Sequence, residues 1–130
     1  MHYAATDSGS SAASSSMVSV ISQALATNHI DFHVGVVWST DALYRETRDK
    51  VEHYQRAGVL AVEMETSALY SVAQFRSAAL GAILVVSDEL SSFSWRPGFK
   101  QDRFIQGRQT ACRIAQKLVC SAQENKHQDR

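Results

Sequence analysis

Apolar residues in this chain fall in short runs whose spacing changes along its length. In "MVSVISQALATNHI", residues 17–30, Met17, Val18, Ile21, Ala24 and Leu25 recur at three- to four-residue intervals. That spacing predicts a short amphipathic helix, with Asn28 as a natural stop. "DFHVGVVW", residues 31–38, is rich in β-branched and aromatic residues and predicts a buried strand, closed by the polar turn "STDALY". Residues 46–57 are polar, predict a helix and run into Gly58, a natural helix terminator. "VLAVEM", residues 59–64, predicts a second strand, and residues 65–77 a helix with Ala68, Leu69, Val72 and Ala73 on one face. "AALGAILVV", residues 78–86, is apolar on both faces, as a strand covered on both sides is. The loop "SDELSSFSWRPGF" follows, holding the single proline, Pro97. A last helix is expected over 102–122, with Phe104, Ile105, Ala111, Ile114, Ala115, Leu118 and Val119 as its apolar stripe. The serine-rich stretch at 6–16 predicts a loop, and "QENKHQDR", residues 123–130, a polar tail.

Helix and strand alternate throughout, which implies an α/β fold with parallel strands and right-handed crossovers. In such sheets ligands bind beyond the carboxyl ends of the strands. Three polar clusters fall there: Ser39 to Tyr44, Glu63 to Glu65, and Ser87 with Asp88.

Composition narrows the function classes. The 130 residues suit one domain, and 13 basic residues balance 13 acidic ones. No bulk field therefore favours nucleic acid or an anionic membrane. No apolar run approaches the ~20 residues that span a bilayer. The first residues lack the basic and apolar regions of a secretory signal, so the cytoplasm is the expected setting. Cys112 and Cys120 sit eight apart on one expected helix, about 12 Å along its axis, which is too far for a disulfide. They are expected to be buried thiols. The five histidines show no metal-ligand spacing, and no metal is expected.

The clusters suggest a site for a hydroxylated small molecule. A carboxylate at a strand end can accept two hydrogen bonds from a vicinal diol, and Glu65 also opens a helix, where the macrodipole favours negative charge. The same dipole gives Glu65 a purely structural alternative. Met64, between Glu63 and Glu65, offers a polarizable surface for a sugar or base, or else fills a core. Asp88 follows an apolar run directly, and a carboxyl in that position serves either as a general acid or as a cap of the next segment.

"GVLAVEMETSALYSVA", followed by "GAILVVSDEL", resembles the purine and uridine phosphorylase family. "GVVWSTDALYRET" is similar to that family's strand and base-side loop, and the resemblance runs from about His2 to Leu118. It implies a three-layer α/β/α sandwich, of which this chain carries the C-terminal portion of the sheet with its helices. It implies that Glu65 holds the ribose hydroxyls, Met64 packs against the sugar, and Glu63 is a second polar residue nearby. Asp88 would protonate the purine ring as the glycosidic bond breaks, with Ser87 beside it, and Tyr44 and Leu43 would line the base pocket. Arg96 and Arg103 are candidates to approach Asp88.

The implied reaction is reversible phosphorolysis of a purine or uridine nucleoside to free base and ribose 1-phosphate. Phosphate is a co-substrate, no cofactor is implied, and a homo-oligomer is expected because relatives complete their sites with a neighbouring subunit. Ser87-Asp88 leans toward a purine, whereas the W-R-P-G-F loop leans toward members labelled uridine phosphorylases. Related nucleosidases, which use water in place of phosphate, share the Met-Glu and Ser-Asp pairs. Family members are about twice as long, and the other half carries their phosphate loop. A fragment is therefore expected, with a catalytically inactive nucleoside-binding protein as the third reading.

Overall fold

The computed structural model describes residues 11–90 and 92–128, and the side chains of Leu43 and of residues 122–128 fall outside that description. The described residues form four α-helices, a short 3-10 turn and two small sheets, an α/β arrangement. The chain divides into two compact units. One comprises the described residues up to Val20 with His33–Ala82, the other Ile21–Phe32 with residues from Ile83 onward.

The first unit is a parallel βαβ element. Strand β1 (Val37–Ser39) leads through a 3-10 turn (Leu43–Arg45) and helix α2 (Arg48–Arg56) to strand β2 (Ala61–Glu63). The strands pair in parallel, with Val37 opposite Ala61, Trp38 opposite Val62 and Ser39 opposite Glu63. Trp38 stacks on Tyr54 of α2 with ring centroids 4.4 Å apart, which fixes the crossover helix against the strand pair. At the end of α2, Gly58 takes a left-handed φ of 75°. Its N–H bonds to the Gln55 carbonyl, and the N–H of Val59 to that of Tyr54, closing the helix in the expected way. The same two-bond closure ends helix α3 (Thr66–Phe75), with Ser77 at a φ of 52° in glycine's place.

Both strands are shorter than their patterns predict. Residues 31–36 precede β1 without joining it, and Val34 and Val36 are 64% and 67% exposed. A two-stranded sheet has a partner on one side only, so its ends fray where no third strand covers them. The expected strand over 78–86 is absent, a correction to the pattern reading. The carbonyls of Leu80 and Ser87 each accept one backbone hydrogen bond, from Ser14 and Gly98 respectively, so no continuous ladder forms there. Leu84 and Val86 are exposed, and so are Leu69 and Val72 on the face of α3 expected to be buried.

In the second unit, α1 (Ser15–Thr27), which opens in the first unit, ends on a left-handed His29, with the Asn28 side chain donating to the Ala24 carbonyl. The expected loop over 87–99 contains a small antiparallel pair, β3 (Asp88–Glu89) with β4 (Arg96–Pro97). Helix α4 (Asp102–Gln128) runs past its expected end near 122, because Gln, Glu and Lys sustain a helix as well as a tail. Its approach to the preceding segment is close: a Cβ on Gly107 would lie 3.1 Å from Val85. Among the described residues the buried apolar side chains are Leu25 and Ile114. Cys112 and Cys120 are free thiols and exposed, not buried as expected. Cys112 lies about 200° around α4 from Ile114, on the opposite face. Residues 6–10 of the expected serine-rich loop lie outside the described residues, and Ser15 and Ser16 open α1.

Candidate functional site

β1 and β2 run in the same direction, so the loops that leave them emerge at one end of the strand pair, the carboxyl end. Ser39 and Glu63 are the last residues of the two strands and face each other in register. The Ser39 hydroxyl donates to Oε1 of Glu63. Oε2 of Glu63 accepts the backbone N–H groups of Glu65 at 2.7 Å and Thr66 at 2.6 Å. Ser39 Oγ also accepts the N–H of Ser67 at 3.2 Å and lies 3.3 Å from Thr66 Oγ1. The first amides of a helix have no partner within the helix. Here two residues at strand ends supply those partners, so Glu63 caps α3 from outside it. Thr40 and Thr66, both buried, close the same junction, and Thr40 N–H bonds the Glu63 carbonyl at 2.9 Å.

Burial works against ionisation of Glu63, but hydrogen bonds from Ser39, from the Thr66 side chain and from the amides of Thr66 and Glu65 outweigh it. They hold the carboxyl below its usual value. Its negative charge is felt at Tyr70, whose phenol is pushed up first by burial and then by Glu63.

With Glu63 engaged, the next two residues turn outward. Met64 and Glu65 are exposed, and the Glu65 carboxylate receives one long bond, 3.3 Å, from the Met64 N–H. An ionised carboxylate offers about four acceptor positions, so Glu65 keeps capacity for two hydroxyls. On the adjoining loop Tyr44 is 95% exposed in the 3-10 turn that also contains Leu43.

The second unit holds Ser87 and Asp88. Ser87 Oγ donates to Oδ1 of Asp88, and the indole N–H of Trp95 donates to Oδ2 at 2.7 Å. The β3–β4 pairing returns the chain over Asp88, and the Gly98 N–H locks onto the Ser87 carbonyl at 2.7 Å. A Cβ on Gly98 would stand 2.7 Å from that carbonyl oxygen, so the return fits only glycine. Among the described residues Asp88 has no ion pair, and Arg96 sits opposite Glu89 in the strand register. Ser39 belongs to the first polar cluster that the sequence singled out, but Thr66 and Trp95 were not singled out. The bond from Ser39 to Glu63 could have been found by laying the two strands in parallel register, whereas nothing short of the hairpin points to Trp95.

The sequence profile of the phosphorylase superfamily matches residues 3–123. The chain belongs to the phosphorylase superfamily. A DeoD-type purine nucleoside phosphorylase of Mycoplasma genitalium is 33% identical over 108 residues, 82% of this chain and 45% of that protein. One from Jannaschia sp. is 48% identical over 58 residues, covering 45% of this chain and 25% of the relative. One from Dichelobacter nodosus is 37% identical over 75 residues, 58% of this chain and 32% of the relative. This superfamily member thus spans less than half the length of the relatives it matches. No solved structure matches it. Among the described residues, no helix is long and apolar enough to cross a membrane.

Proposed function

We propose that this chain carries the nucleoside-binding part of a nucleoside phosphorylase that splits a purine nucleoside and phosphate into free base and ribose 1-phosphate. The observation that carries the reading is the division of labour at the end of β2. Glu63 is consumed by the cap of α3, while Met64 and Glu65 face solvent with the Glu65 carboxylate available. Glu65 binds the ribose hydroxyls, Met64 covers the sugar, and Glu63 acts through them as a positioning residue. Tyr44 and Leu43 contribute to the base side.

In the reaction, a phosphate oxygen forms a bond to C1′ as the bond from C1′ to the base nitrogen breaks. The bonding pair moves into the base ring, and the Asp88 carboxyl gives its proton to a ring nitrogen, lowering the barrier to departure. Asp88 is left as a carboxylate with the Ser87 hydroxyl beside it. The preference for a purine rests on the names of the relatives together with Asp88. In this reading the β1–β2 pair belongs to the central sheet of a three-layer α/β/α sandwich, within a cytoplasmic homo-oligomer that needs no cofactor.

Base release from inosine and uridine by the purified chain, with and without phosphate, tests the reading. Phosphate-dependent release from inosine is expected. Release that ignores phosphate assigns a nucleosidase, and inosine binding without release assigns a nucleoside-binding protein.

A further inference from the structure

The geometry points to Trp95 as a specificity-determining residue, one that occupies the oxygen of Asp88 a base must take and yields it only to a purine. The inference rests on the nucleoside reading above and names the base that reading should favour. Trp95 is exposed, so water could satisfy its indole N–H without help from the protein. The N–H instead lies 2.7 Å from Asp88 Oδ2, aimed there by the β3–β4 hairpin and the Gly98–Ser87 bond that closes it. Ser87 holds the other oxygen, Oδ1. Both oxygens of the carboxylate therefore already have donors, and an incoming base competes with the indole for Oδ2.

The indole N–H is chemically close to the ring N–H that a purine presents after taking a proton: a neutral donor on a five-membered aromatic ring fused to a six-membered one. A purine joined to ribose through N9 carries N7 on the other side of its five-membered ring, a nitrogen that can share a proton with a carboxyl. It can therefore replace the indole with an equivalent hydrogen bond. Uracil joined through N1 has a C–H and a carbonyl oxygen beside that nitrogen. Neither replaces a donor on a carboxylate, and the carbonyl would face it acceptor to acceptor. Displacing Trp95 thus costs a pyrimidine a hydrogen bond that it cannot remake, which is discrimination by penalising the wrong partner. Phe99, whose ring centroid is 5.9 Å from that of Trp95, gives the indole an apolar neighbour on the same stretch of chain.

The chain has two tryptophans, so nitrogen-labelled protein gives two indole N–H signals, and Trp38, stacked on Tyr54, serves as the internal reference. The experiment titrates the full chain with inosine and with uridine, following these signals and the heat of binding, and repeats both titrations on Trp95→Phe. The expected result is that inosine binds and shifts the Trp95 signal while the Trp38 signal stays, and that uridine binds far more weakly. In Trp95→Phe both nucleosides gain affinity, uridine the more. Removing one neutral competing donor corresponds to about a fivefold change. Loss of fold or of packing would weaken binding, so a gain separates competition from a merely structural role. Inosine binding that leaves the Trp95 signal unmoved, or an unchanged base preference in Trp95→Phe, overturns the assignment while leaving the nucleoside site intact. Failure of both proteins to bind either nucleoside overturns the nucleoside reading itself and this assignment with it. If Trp95→Phe does not fold, the ligand-induced shift in the unaltered chain decides alone.

Discussion

Ser39 and Glu63, the last residues of two parallel strands, are joined side chain to side chain, and through that bond the first strand helps to cap the helix that follows the second. Removing Glu63 leaves the amides of Glu65 and Thr66 without their acceptor. Glu63→Ala should therefore destabilise the fold by about 1–3 kcal/mol, the range for lost caps and unpaired donors. Ser39→Ala should cost about 1 kcal/mol. The two changes touch one network, so the double variant should lose less than the sum of the singles. Urea unfolding of the four proteins measures the coupling, and strict additivity would break the proposed linkage.

The same network sets an acid limit. The folded-state Glu63 carboxyl lies below its ordinary value of 4.5, so the unfolded chain takes up the proton first as pH falls. Its contribution to stability is complete above that ordinary value and is lost as pH drops through the folded one. Unfolding midpoints should therefore fall on acidification below about pH 4.5, and Glu63→Gln should flatten that part of the profile. A Glu63→Gln profile as steep as that of the unaltered chain would assign the acid sensitivity to other carboxylates.

Local chemistry was legible in the sequence wherever the deciding residues are close together in the chain. Gly58 ends α2 as its position suggested, and the parallel pairing of β1 with β2 follows from the helix between them. The V-E-M-E and S-D motifs pointed to the superfamily that the profile match bears out. The segment 78–86 was misread because an apolar run states what could be buried, not whether a neighbouring strand is there to pair with it. Exposed Leu84 and Val86 are the outcome. The capping role of Glu63 was equally hidden. The sequence set Glu65 ahead of Glu63 as the candidate for ribose, but only the register that sets Ser39 against Glu63 reveals the cap on α3. Trp95 lies seven residues beyond Asp88 and meets it only because Gly98 lets the hairpin close.

Glu65 should behave unlike its neighbour. Its side chain is exposed and, among the described residues, holds only the long bond from Met64, so Glu65→Ala should leave stability within about 0.5 kcal/mol of the unaltered chain. If it clamps ribose, inosine affinity should drop by about 1.5–3 kcal/mol, the value of hydrogen bonds to a charged group. Calorimetry with inosine, and with free hypoxanthine as the sugar-free control, tests the assignment. Equal losses for the two ligands would move Glu65 from the sugar to the base, and no loss for either would remove it from the site.

Asp88 makes the sharpest separation between binding and chemistry. Asparagine keeps an oxygen for one of the donors, Ser87 or Trp95, so Asp88→Asn should preserve most of the hairpin. It has no acidic proton to deliver, and general acid catalysis contributes about 10²–10⁴-fold to rates. Turnover of inosine with phosphate should fall by that factor while the inosine dissociation constant changes little. The loss should also depend on the leaving group. A riboside whose leaving group departs readily without protonation, such as a nitrophenyl riboside, needs no acid, and its cleavage should survive the substitution. Equal loss for inosine and for the riboside would mean that Asp88 organises the site without donating a proton. Full activity toward inosine would place the acid on another residue.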